Sequence, residues 1–149
     1  MWTQLIAGGA VSLVNFAIHA IITGIIIVAT RHTVRVTDER GMFVRMASLL
    51  TITMVALMCA HMLEIAVWGG YYLWTGLEVR NAASFEFAFE NYTALGYGDA
   101  VPGERWRLTG PITALNGLLL IGWSVAVIFE VMRMAEVRFA RLPKHKRRK

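Results

Sequence analysis

The sequence predicts an all-α membrane protein: three transmembrane helices, with a short re-entrant helix and a glycine-rich loop between the second and third. Three observations predict it. Of 149 residues, 56% are hydrophobic and 17% charged, against about 45–50% apolar and about 25% charged in an ordinary soluble domain. The charges are segregated: residues 1–30 and 108–129 carry none, and Glu64 is the one formal charge in 46–77. Residues 81–92 form a semi-apolar stretch about half as long as a span requires. Mean hydropathy is +0.52. This composition excludes a disordered chain and argues against a soluble enzyme. The length fits one domain. The single cysteine, Cys59, excludes an internal disulfide and a cysteine-based metal site.

A spanning helix needs about 20 mostly apolar residues, because the hydrocarbon core is about 30 Å thick. The expected spans are 5–29, 46–68 and 110–132. The first is too long, and has no basic flank before it, to read as a cleaved signal peptide. Ser12, Asn15, His19 and Thr23 recur every three or four residues along it, so they form one stripe that should face protein. Asn81 or Ser84 can cap the short helix over 81–92. Gly96 and Gly98 follow, and Pro102-Gly103 punctuates the return. Irregular backbone at membrane depth is tolerated where it is buried in protein or lines a water-filled path.

In the third span Pro111 sits in the first helical turn, where its missing N–H is not needed. Gly117 and Gly122 lie inside it. The helical pattern then continues past the membrane until Pro143, with Glu130 placed to pair with Arg133. The chain divides into 1–45, an N-terminal transmembrane helix and loop; 46–142, the remaining helices; and 143–149, a basic tail.

Lysine and arginine set the orientation. Arg31, Arg35, Arg40 and Arg45 lie in the 31–45 loop, and eight basic residues lie from Arg133 onward. The 69–107 linker holds three arginines against Glu78, Glu86, Glu90, Asp99 and Glu104. The positive-inside rule places the loop and the C-terminus in the cytoplasm and the N-terminus outside. Trp2, Trp68, Trp74 and Trp106 then fall near the outer face, at headgroup level. The tail is expected to contact anionic lipid or to act as a topology determinant rather than bind nucleic acid. No ligand-binding domain is expected after it. The first span and its loop lack the repeated arginines of a voltage sensor.

The residues after the short helix are Thr93-Ala94-Leu95-Gly96-Tyr97-Gly98-Asp99. They resemble the signature of the pore-loop potassium channels, Thr-Thr-Val-Gly-Tyr-Gly followed by Asp, in the same place between two spans. The resemblance covers about 90 residues, from Met46 to roughly Glu136. It implies an outer helix, a pore helix over 81–92, a selectivity-filter loop and an inner helix. Potassium would be held by backbone carbonyls of Thr93, Ala94, Leu95, Gly96 and Tyr97, with no covalent cofactor. For successive carbonyls to face one axis, alternate residues need left-handed dihedrals, which Gly96 and Gly98 adopt at little steric cost. Tyr97 would brace the filter against Phe87 or Phe89.

Four copies must surround the axis, so the resemblance implies a homotetramer. It further implies a Glu90–Asp99 pair behind the filter; the alternative for Glu90 is a solvated acid at a helix end. A hinge glycine is implied near Gly117 or Gly122, with close helix packing as the other reading. The family's second threonine is Ala94 here, which removes a hydroxyl from the innermost ion site, and Leu95 replaces valine. The expected function is a passive, potassium-selective tetrameric channel in the cell membrane. The alternatives are a weakly selective Na⁺/K⁺ channel and a non-conducting membrane adaptor.

His61 and Glu64 lie one turn apart inside the second span, at the expected depth of the filter, and Asn15 and Asn116 fall at similar depths. An ionisable group in a membrane is costly and therefore a functional candidate. Three readings stay open: polar packing between the first two helices, a pH-responsive brace behind the filter, and a metal site with a second histidine. For the last, His19 reads as lying too far inward. No nucleophile–base arrangement is expected outside the His61–Glu64 pair.

Overall fold

The computed structural model describes residues 2–36, 42–77, 81–96, 102–103 and 106–140. Among these the secondary structure is helical: α1 (Trp2–Val36), α2 (Met42–Trp74), α3 (Asn81–Tyr92) and α4 (Thr109–Ala140). Three of them are long and apolar enough to cross a membrane, over Trp2–Arg35, Phe43–Trp74 and Thr109–Val137. Each outruns the expected span. Hydropathy marks where lipid contact begins and ends, but the backbone hydrogen bonds of a helix continue beyond it. So α1 carries on through Arg31 and Arg35. The short helix has the expected bounds. Ser84 does not cap it; it lies one turn inside and is buried.

Helix α1 packs on α4 and α2, and α3 is wedged between α2 and α4. Two apolar clusters fill the interior. One is mainly aromatic: Trp68, Tyr71 and Tyr72 of α2 with Phe87 and Tyr92 of α3 and Leu120 of α4. Tyr72 and Phe87 rings lie 5.2 Å apart. The other is aliphatic: Ile26, Leu57, Val127 and Val131. Between the two runs a polar layer, described below. Trp68 is a correction to the headgroup expectation. It is fully buried, and its Nε1–H donates to Asn116 Oδ1 at 2.9 Å, because an indole N–H inside needs an acceptor. Trp2 and Trp74 are exposed.

The starts of α1 and α4 are tied together. Gln4 Oε1 accepts the N–H of Leu108 at 3.1 Å, just before α4 begins. Such N–H groups at a helix start have no partner within the helix. Near the other end of α4, Arg133 donates twice to Glu130, at 2.8 Å each. This is the local pairing that the three-residue spacing predicts.

Helices α2 and α3 end in the same hydrogen-bonded motif. At α2, Leu77 N–H donates to Tyr72 O and Gly76 N–H to Leu73 O, both at 3.2 Å, with Gly76 at φ +63°. At α3, Leu95 N–H donates to Glu90 O and Ala94 N–H to Asn91 O, both at 2.9 Å, with Ala94 at φ +57°. These are the paired bonds of a Schellman cap, whose left-handed residue is usually glycine.

Candidate functional site

Two places collect the candidate residues: the backbone that leaves α3, and the polar layer beside α3's last residue. The first begins at the cap. Thr93 is bonded through both its N–H (3.0 Å) and its hydroxyl (2.9 Å) to Phe89 O. Ala94 and Gly96 have positive φ, +57° and +117°, on either side of Leu95. Thus the alternation expected of Gly96 and Gly98 begins one step earlier, at an alanine. Thr93, Ala94, Leu95 and Gly96 are exposed in the single chain, Leu95 by 81%. Glu90 is half-buried. Tyr97, Gly98 and Asp99 lie outside the described residues, and so does the Glu90–Asp99 pairing. Phe87 is buried against Tyr72, while Phe89 is partly exposed beside Phe85.

Gly117 and Gly122 differ. A Cβ on Gly117 would stand 1.9 Å from the carbonyl oxygen of Tyr92, while nothing lies within 4 Å of one on Gly122. So within the chain the close approach is made at Gly117. There the backbone of α4 lies against the last residue of α3, which no side chain would permit.

The polar layer joins all four helices. Asn15, His61, Glu64 and Asn116, the expected cluster, do come together. Asn15 Nδ2–H donates to Glu64 O (3.2 Å) and to Asn116 Oδ1 (3.0 Å). His61 Nδ1 lies 3.0 Å from Glu64 Oε2. Three further members were not expected. His19 Nδ1–H donates to Glu64 Oε1 at 2.9 Å, which corrects its placement as too far inward. Counting rise along each helix fixes neither the register between helices nor the reach of an imidazole. Tyr92 O–H donates to Glu64 Oε2 and lies 2.8 Å from His61 Nδ1. Ser124 Oγ lies 2.9 Å from His61 Nε2 and 3.4 Å from His19 Nε2. The one sequence signal for Ser124 is its position two turns after Asn116, on the same face of α4.

Glu64, His19, Asn15 and Asn116 are fully buried, and the His61 side chain is 16% exposed. A carboxylate removed from water must find donors or a cation, and here one phenol and two imidazoles converge on it. Ser124, His61 and Glu64 also have the connectivity of a nucleophile–base–acid triad, which sequence reasoning had not found. Ser124 is buried, however, and a second imidazole shares its oxygen. It is held as a hydrogen-bonding group rather than presented to a substrate.

Residues 48–134 match the family model described as "Ion channel". The match covers more than half of the chain, and the chain belongs to this pore-loop ion channel family. It takes in α2 from its second turn, all of α3, and α4 as far as Met134; α1 lies outside it. No curated protein and no solved structure matches.

Proposed function

We propose that four copies of this chain enclose a potassium-conducting pore, with residues 93–98 as its filter. The chain is a multi-pass membrane protein of an ion channel family, and passive ion conduction is the activity such a fold serves. The observation that carries the finer reading is the backbone after α3. Positive φ at Ala94 and Gly96, with Leu95 between them, is the alternation that turns successive carbonyls toward one axis. A dehydrated K⁺ needs rings of such oxygens in place of its water shell. One chain supplies one strand of the ring, so the site is incomplete without a cyclic assembly. The exposure of Thr93 to Gly96 in the single chain accords with that.

In this reading α3 enters the membrane from outside and returns through the loop, with the acidic 69–107 linker around the outer mouth. A ring of carboxylates there raises the local cation concentration. The basic tail lies against anionic lipid on the cytoplasmic side of the cell membrane. Helix α1 stands outside the α2–α3–α4 unit. Glu90 and Asp99 pair behind the filter.

A second reading, weak Na⁺/K⁺ discrimination, is favoured by Ala94, which lacks the hydroxyl that threonine would add to the innermost site. Reversal potentials of the reconstituted chain under bi-ionic K⁺/Na⁺ conditions decide between them. A strongly K⁺-biased potential is expected. A potential near zero favours the second reading, and absence of flux from a verified tetramer overturns both.

A further inference from the structure

The polar layer contains more than helix packing requires. We propose that His19, His61 and Glu64 form a site for a borderline transition-metal dication of the zinc class, one per chain, joining α1 to α2. The proposal stands apart from conduction, since none of the three belongs to residues 93–98.

The donor set comes first. One donor atom from each of the three residues lies within 4.8 Å of the others. Two imidazoles and a carboxylate suit zinc, and suit Mg²⁺ or K⁺ poorly, because those ions take oxygen ligands. Glu64 Oε1 is 2.9 Å from His19 Nδ1, and Glu64 Oε2 is 3.0 Å from His61 Nδ1. Ligands around tetrahedral zinc are separated by roughly 3.3 Å, given bonds of about 2.0–2.1 Å. The donor atoms, within 4.8 Å of one another, would have to draw in toward that spacing to hold the ion.

The hydrogen count of the cluster bears on the same point. Without a metal, both Nδ1 atoms carry hydrogen and donate to Glu64, so both Nε2 atoms are acceptors. Both face Ser124, whose hydroxyl has one hydrogen to give. With both rings neutral one acceptor is short of a donor, and either an added proton on one ring or a metal on the Nδ1 atoms closes the count. With a metal on the Nδ1 atoms, both Nε2 atoms carry hydrogen instead, and the two lone pairs of Ser124 Oγ receive them. Ligating histidines usually donate their other N–H to such an outer partner, which fixes ring orientation and tautomer. Glu64 is supported in the same way. Tyr92 O–H donates to Oε2, the oxygen beside His61, while Oε1 lies beside His19. Asn15 donates to the Glu64 carbonyl.

Charge points the same way. Glu64 is the one formal charge in 46–77, and an ionised group inside a membrane is stabilised by an opposite charge. A dication provides it without a lysine or arginine. The partly exposed edge of His61 gives the ion a way in.

Cobalt(II) is the probe. The full-length chain, stripped with chelator and reconstituted, is titrated with Co²⁺. The expected result is an intense visible absorption from a tetrahedral centre, saturating at one ion per chain and abolished by Zn²⁺. Ser124→Ala should weaken binding about 10–100-fold, the usual effect of losing an outer partner. His19→Ala and His61→Ala should lose the absorption, and Cys59→Ala, at an exposed position, should keep it. The wild-type titration stands even if the histidine variants fail to fold. No tetrahedral absorption from wild type overturns the proposal, including the case in which a proton alone occupies the cluster. Absorption that persists in the His19→Ala, His61→Ala double variant overturns it as well.

Discussion

Helices α2 and α3 end in the same pair of hydrogen bonds, yet the two ends serve opposite purposes. At α2 the left-handed position is Gly76, and the next residue, Leu77, is buried in the aromatic cluster at 3% exposure. At α3 the left-handed position is Ala94, and the next residue, Leu95, is 81% exposed. The first cap is a finished stop: the apolar residue after it folds back on the core, as usually accompanies the motif. The second continues into another positive φ at Gly96 and leaves its apolar residue unburied. One end closes on the core; in the proposed channel the other opens toward the neighbouring copies. A single backbone motif thus ends in a buried leucine at one helix and in an exposed one at the other.

Four substitutions and one matched control test this contrast. The largest effect is expected from Gly117→Ala. Its Cβ would stand 1.9 Å from the Tyr92 carbonyl, and backbone cannot move aside as a flexible side chain can. Overpacking of this kind costs about 1–3 kcal/mol or more, and loss of both tetramer and flux is expected by native gel and liposome assay. Gly122→Ala is the matched control, with open space around its Cβ within the chain.

Next is Gly96→Ala. At φ +117° an alanine lies outside the left-handed region and stores about 1–3 kcal/mol of strain. Flux should fall at least tenfold while the helical circular dichroism signal of the chain is kept. If flux is unchanged, the backbone after α3 is not the conducting element.

Gly76→Ala should be milder. Its φ of +63° lies within the left-handed region and its Cβ meets nothing, so the penalty is about 1 kcal/mol. A lowered melting temperature with unchanged flux per tetramer would separate the closing cap from the opening one.

The smallest effect is expected from Ala94→Gly. It relieves the left-handed alanine but frees the unfolded chain, and the two changes offset within about 1 kcal/mol. A large change in flux would mean that the Ala94 methyl, not its backbone, matters.

The sequence made some of this legible and hid the rest for physical reasons. The bounds of α3 could be read because Asn81 and Tyr92 bracket a stretch between charged flanks and glycines. The long helices were read short, since hydropathy reports lipid contact while α1 runs on through Arg35. Asn15, His61, Glu64 and Asn116 were found because polar residues stand out against apolar spans. His19 was found as part of the α1 stripe but misplaced, because depth along one helix says nothing of its register against the next. Tyr92 and Ser124 were missed because a phenol at a helix end and a serine in a span are both unremarkable locally. Trp68 was misread by the rule that serves Trp2 and Trp74, since an indole beside a buried asparagine can satisfy its N–H inside.

Tyr92 has a mechanical consequence. Its carbonyl rests on Gly117, its hydroxyl grips Glu64, and Thr93 follows it directly. The residue thus links α4, through its backbone, to the α1–α2 seam, through its hydroxyl. His19 of α1 and Tyr92 hold the same carboxylate, so a displacement of α1 that carries His19 acts on a group bonded one residue ahead of the loop. The helix outside the matched region is in this sense linked, through Glu64, to the residue that precedes the backbone after α3.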